Sequence, residues 1–454
     1  MAYPVVQFDS SSGSDSLASG AGPATAVNST TESTTAATDG AGTTVTFSGA
    51  TDLSGVATDG SHCIYLVDAT VGNVNFSKIL TVDDGANSLT VDNAFGLSLS
   101  GLNWAIGGKR QFIGSTTSRL LGDNNGSAGD MQPGWVLEMM SGYAETLTTT
   151  ISLRRAGNST NGGQCIVRGE ANPVTKPVIS VDDTDAFYSD ASWIEWADFD
   201  LDRTPSSSTN VGGGFGRGNS GHDHHIRNID FLGGSSINKW SWAISGGYGG
   251  ARVNCFNVRV NWVGSGSAFY GGRSLKCHRC VAKNCDGVAF SGTSYTGYFE
   301  IFECEVSGAS TGISFQNYTD VRVLNCSITG TSGDGIYYSL QGGQASVSII
   351  GNLIDSPGGY GIAAAAASHL ANAYGNLIYN ATSGESNNVT GLGTVSTIDP
   401  DLVSADDLTP QANLEGLGEN PIAFGSTSYK WPGAIQPASS GGSATRLING
   451  GLIS

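Results

Sequence analysis

Carboxylates at alternate positions are the first residues to invite a chemical reading. The segment from Trp193 to Arg203 sets Glu195, Asp198, Asp200 and Asp202 among apolar neighbours. Further on, His222, Asp223, His224, His225 and Asp230 repeat the texture, and three of the chain's six histidines lie in that stretch. If the two segments are adjacent strands about 4.8 Å apart, Asp200 falls beside Asp230, Asp198 beside Asn228, and Glu195 beside His225. Carboxylates at such separations suit the acid and base of a glycosidase, since crowding raises the pKa of one of them. Asp198, Asp200, Asp230 and His225 are therefore the candidate catalytic residues. The same oxygens could hold Ca²⁺; no other cofactor is expected and no metal site is assigned. A third reading stays open, in which these residues are the solvated face of a strand and His224, at an inward position, is a hydrogen-bonded core histidine.

Aromatic residues in loops and at corners are the second class. Trp240, Trp242, Tyr248 and Tyr295 are the candidate glycan-binding residues, because sugar rings stack on exposed aromatic faces. Tyr298, Tyr318 and Tyr337 share the pattern, and all of them could equally cap a core or fill a subunit interface. Lys276, Glu300 and Arg322 fall in one outward column, with Arg279 beside Glu303 in the next. Alternating charges at this spacing form a ladder that needs no function, each exposed pair adding only about 0 to 1 kcal/mol. Cys277-His278-Arg279-Cys280 has the outline of a zinc knuckle. The repeat described next argues instead for structural thiols. Nucleophile elbows, phosphate loops and dinucleotide fingerprints are absent, and Gly212 to Gly218 reads as an insertion loop.

The elements that would position these residues come from an internal repeat. Two alternating apolar residues, a gap, and two more recur in eight units: Ile194/Trp196 with Phe199/Leu201, then His224/Ile226 with Ile229/Phe231, and so on to Ala371/Ala373 with Asn376/Ile378. Successive units start 22 to 30 residues apart. Alternation places each pair on one strand face, and the gap is the bend between strands. A third strand follows in later units, at Val288/Phe290, Ile313/Phe315, Ile336/Tyr338 and Ile362/Ala364. Three short strands per turn make one rung of a parallel β-helix. In this alignment Cys255 and Cys277 share an inward column, and Cys280, Cys304 and Cys326 share another with Asn352 and Asn376. The thiols read as small buried hydrophobes and the asparagines as an amide ladder.

Composition agrees. The 454 residues include 66 glycines, only 13% are charged, and the formal net charge is −18. That excludes coiled coils and argues against nucleic-acid binding, which needs clustered Lys and Arg. No apolar run reaches the roughly 18 to 20 residues of a membrane span, so no membrane insertion is expected. Residues 1–44, rich in Ser, Thr, Ala and Gly, read as an extended anchoring arm; residues 45–125 as a small β-rich domain; residues 126–392 as the parallel β-helix; and residues 393–454 as a cap and tail.

The repeated units, with PGWVLEMMSGYAETLTTTISL before them and IDPDLVSADDLTPQANLEG after them, resemble the right-handed parallel β-helix proteins of the pectate-lyase-like superfamily. MAYPVVQFDSSSGSDSLASGAGPATA, LNWAIGGKR and the terminal RLINGGLIS are similar to the ends of virion-surface proteins of tailed bacteriophages. The resemblance implies an all-β protein on the virion surface, on tail or capsid, synthesised in the host cytoplasm. It implies anchoring to other virion proteins through the amino-terminal region, association as a homotrimer, and contact with host surface polysaccharide. Three functions remain open at this point: an adhesive spike, a glycan depolymerase using the outward carboxylates, and a capsid decoration protein without a carbohydrate role.

Overall fold

The computed structural model describes residues 5–11, 27–28, 33–39, 42–54, 56, 58, 62–67, 74–92, 94, 98–107, 113, 122–123, 136–153, 165–182, 184–189, 193–203, 213–217, 223–236, 238–247, 252–294, 297–340, 346–392, 395–404, 408 and 410. Among the described residues there are strands and turns but no helix. The chain divides into two compact units, Met1–Asp202 and Arg203–Ser454.

The first unit contains a closed antiparallel sheet. The long strand Ser98–Gly107 pairs with Ala36–Asp39 along its first half and with Cys63–Val67 along its second. Val74–Asp83 likewise serves both Cys63–Val67 and Ser88–Val91, and Thr44–Phe47 joins Ser88–Val91 to Ala36–Asp39. The sheet thus returns on itself, which removes most of its unpaired edge. Alternate residues point inward as period two requires, and Val45, Phe47, Ile64, Leu89, Leu102, Trp104 and Ile106 form the core. The Trp104 indole N–H donates to the Thr34 carbonyl (3.2 Å), and its ring lies 4.6 Å from that of Phe47.

This sheet starts earlier than the sequence suggested. Ala36–Asp39 is a strand with Ala36 buried, inside the segment read as an arm. Val5–Phe8 is also a strand, parallel to Val136–Met139, with Phe8 fully buried. Each holds only two or three apolar residues beside Ser-, Thr- and Gly-rich runs, and composition averaged over forty residues hides them. The unit continues with parallel strands: Val136–Met139, Cys165–Gly169 and Ile194–Ala197 in one sheet, and Ala144–Leu147 with Val178–Val181 in another.

The second unit is a coil of parallel strands with three faces. The first face contains His224–Arg227, Arg252–Phe256, Ser274–His278, Tyr298–Phe302, Asp320–Leu324, Ser346–Ile350 and Leu370–Tyr374, each hydrogen-bonded to the next. The second runs from Asp230–Gly233 through Arg259–Val263 and Val281–Cys285 to Asn376–Tyr379, and the third from Gly213–Arg217 through Trp242–Ser245 to Gly384–Asn387. The inward columns fall where the repeat places them: Val253, Leu275, Phe299, Val321 and Val347 are in register, as are Cys255, Cys277, Ile301, Val323 and Ile349.

One backbone device makes the bend. Two residues past each first-face pair the chain adopts a left-handed conformation, at Asn228, Asn257, Arg279, Glu303, Asn325, Gly351 and Gly375, with φ between 51° and 68°. Five of these seven are Asn or Gly, the residues that tolerate this region best. The two others support each other, with Arg279 Nε 2.6 Å from Glu303 Oε2.

The third face departs from the sequence alignment by two residues at one step. Val288 pairs with Thr311, Phe290 with Ile313, and Gly292 with Phe315. Gly292 holds the inward slot because the Tyr318 hydroxyl, which donates to the Gly271 carbonyl (2.7 Å), lies 2.2 Å from where a Cβ would stand. The glycine-rich segment is also corrected, since Gly213–Arg217 is a third-face strand rather than a loop. A Cβ on Gly213 would lie 2.2 Å from the Trp242 ring, and one on Gly214 would lie 2.1 Å from the Phe231 ring.

All eight cysteines are buried and none forms a disulfide. The inner corner column works as a hydrogen-bonded ladder. Asn352 Nδ2 donates to Asn376 Oδ1 (2.9 Å), and the backbone N–H groups of Cys326 and Asn352 donate to Asn352 Oδ1 and Asn376 Oδ1 (2.9 and 3.0 Å). Two steps before the Cys326–Asn352 pair in the same column, the Cys280 N–H points at Cys304 Sγ instead (3.4 Å). Burial pushes the Cys326 and Cys285 thiols up to about 12, which leaves them unreactive.

Candidate functional site

The candidate carboxylates are divided between the two units, and Asp200 and Asp230 each face a cation. In the first unit, Asp198 occupies a bend with φ 62°, and Asp200 is buried against Lys176 in an ion pair. Burial raises the carboxyl of Asp202 above its ordinary value. In the second unit, Asp230 lies 3.9 Å from Arg259, and Asp223 lies 2.9 Å from Arg252. Asp200, Asp223 and Asp230 thus each have a Lys or Arg partner. Among the described residues no group of three or more His, Cys, Asp or Glu is placed to hold a metal ion.

The four candidate aromatics fare differently. Trp240 is fully buried, its ring 5.4 Å from Phe231 and under the Arg203 guanidinium (5.8 Å), so it offers no face to a sugar. This corrects its expected role: the ring fills the core between second and third faces. Trp242 is half-buried over Gly213. Tyr248, Tyr295 and His222 lie outside the described residues. His224 is buried in the inward column, in register with Val253, as the repeat predicts.

His225 heads an outward column. Register carries it through Asn254, Lys276, Glu300, Arg322 and Ser348 to Asn372. Six steps of about 4.8 Å give this polar line a length of about 29 Å. Beside its middle lies a second outward column in which Tyr298 and Asp320 are paired. The two columns enclose a shallow groove of about 110 Å³, lined by Lys276, Tyr298, Phe299, Glu300, Asp320 and Arg322.

Glu300 is the centre of the groove. Its Oε1 accepts a hydrogen bond from His278 Nε2 (2.7 Å), and its Oε2 lies 3.8 Å from Arg322. The His278 hydrogen bond holds its carboxyl below the ordinary 4.5, helped by the charges of Lys276 and Arg322 and opposed by burial. Arg322 also reaches Asp320 (3.4 Å). Tyr298 is 54% exposed, and the Lys276 ammonium stands 6.0 Å from its ring centre. An open aromatic face beside fixed donors and acceptors can stack a ring and hydrogen-bond its substituents.

Lys276, Glu300 and Arg322 were legible as a charge ladder and Tyr298 as one aromatic among many. Asp320 and His278 were missed as members of the site. Asp320 stands two residues before Arg322, a period-two signal on the same strand face. His278 was masked by the knuckle-like string around it.

Residues 224–383 match the family model described as the right handed beta helix region. The coil is a right-handed parallel β-helix. No curated protein matches the chain in sequence. Among solved structures, the β-helix chain is similar to the tailspike protein gp49 from Pseudomonas phage LKA1, with 12% identity, 80% of this chain and 64% of that chain covered, and a TM-score of 0.18. No helix among the described residues is long and apolar enough to cross a membrane.

Proposed function

We propose that the chain is an adhesive protein of a phage particle whose β-helix contacts host surface glycan through the outer side of its first face. The observation that carries this reading is the exposed Tyr298 beside the Lys276, Glu300, Asp320 and Arg322 groove. The polar column from His225 to Asn372, about 29 Å long, extends the contact along the face beyond a single sugar unit. The flanking strings that resemble phage virion proteins support a place on the particle, and by the same resemblance the assembly is a homotrimer anchored by its amino-terminal region.

The test is binding of the full chain to immobilised bacterial surface polysaccharides. Tyr298→Ala should weaken retained binding by about tenfold, the worth of one aromatic stacking contact. Absence of binding to every polysaccharide, or binding unaffected by Tyr298→Ala, overturns the proposal. New reducing ends in the same incubation would turn the reading toward a depolymerase.

A further inference from the structure

We infer that the Tyr298 groove takes an uncharged sugar in preference to a carboxylated one. The inference rests on the adhesive reading and names the class of ligand. The groove has already balanced its own charges, with Lys276 and Arg322 set against Glu300 and Asp320. Glu300 stands between the two cations in one column, on adjacent rungs. Its carboxylate is tied by His278 at 2.7 Å and flanked by Arg322 at 3.8 Å.

A hexose hydroxyl both donates and accepts, so it can give a hydrogen bond to Glu300 or Asp320 and take one from Lys276 or Arg322. The apolar face of the ring can at the same time cover Tyr298. A carboxylate on that sugar brings only acceptors into a space that already contains two fixed anions. Whatever it gains from Lys276 or Arg322 comes at the expense of their existing partners, and the ion pair between Arg322 and Asp320 would have to open. Farther out, a net charge of −18 repels a polyanionic glycan before it arrives.

The experiment is calorimetric titration of the full chain with matched hexasaccharides that differ only at C6: glucose against glucuronate, mannose against mannuronate, and galactose against galacturonate. In any pair that binds, the neutral member should bind about tenfold tighter at low salt, and the ratio should shrink at high salt as screening sets in. Glu300→Gln should narrow the ratio, and Asp320→Asn gives the same reading if Glu300→Gln fails to fold. Tyr298→Ala should weaken both members alike. Tighter binding of the uronate, or a ratio that neither carboxylate variant moves, overturns the inference while the adhesive reading stands. Failure of all six sugars to bind overturns the inference, and the polysaccharide-binding assay decides the adhesive reading separately.

Discussion

In the closed sheet of residues 27–107, long strands such as Ser98–Gly107 and Val74–Asp83 each serve two partners, and one compact cluster around Trp104 fills the inside. In the β-helix of the second unit, each strand meets the equivalent strand one turn away, and the interior is a set of columns rather than a single cluster. A closed sheet shares one core among all its strands, so damage anywhere reaches everywhere. A solenoid has mostly nearest-neighbour terms, so damage is felt first in adjacent rungs.

The largest test of that contrast is Trp104→Ala. It should cost the closed sheet about 3–5 kcal/mol and open it as a whole. Cys63, buried in that sheet, should then react with a thiol reagent while Cys255, Cys277, Cys304 and Cys326 remain protected. Uniform reactivity of all these thiols would break the comparison.

Next in size is Asn352→Ala. It leaves the Cys326 N–H without its acceptor in a dry column, takes one of two donors from Asn376 Oδ1, and should cost about 2 kcal/mol or more, read from the urea midpoint. Faster amide exchange should appear at Cys326 and Asn376 and fade within a rung or two. Asn352→Cys should recover part of the loss, since the earlier rungs keep a thiol at this position.

Acid should weaken the β-helix through Glu300. The folded carboxyl lies below its ordinary 4.5, so its contribution is complete above that value and is lost as pH falls through the lower, folded one. Thermal unfolding between about pH 6 and pH 3 should show a smaller decline for Glu300→Gln than for the natural chain. An unchanged decline would show that other carboxylates carry it.

The smallest effect is expected at Arg279→Asn. The change relieves a left-handed arginine but removes a charged hydrogen-bond partner from the buried Glu303, and two terms of about 2 kcal/mol nearly cancel. A shift in the urea midpoint equivalent to more than about 1 kcal/mol in either direction would show that one term dominates.

Much of the β-helix was legible because its inward columns obey a strict alternation. Phe299, Val321 and Val347 align by residue type alone, and so do Asn352 and Asn376. The bend was half legible: Asn228, Asn257 and Asn325 announce left-handed corners, whereas Arg279 and Glu303 do not, because their tolerance comes from a partner one turn away. The third face slipped by two residues at Gly292, where the deciding group is the Tyr318 hydroxyl arriving from another rung. Closure of the first sheet was not legible, since it depends on Ser98–Gly107 choosing two partners in three dimensions. For the site, residue types were visible but exposure was not. Trp240 and Tyr298 look alike as aromatics near corners, and only packing separates a core ring from an open one.

The asparagine ladder has a mechanical consequence. Inter-strand hydrogen bonds in a stacked coil point along its axis, so a pull on the axis loads every turn in series and the weakest joint parts first. The Asn352–Asn376 joint adds a side-chain bond of 2.9 Å to that load path, while the Cys280–Cys304 joint adds only a sulfur contact at 3.4 Å. Under tension the thiol-lined turns are the softer part of the rod, and the amide-clamped turns toward its far end are the part that stays closed.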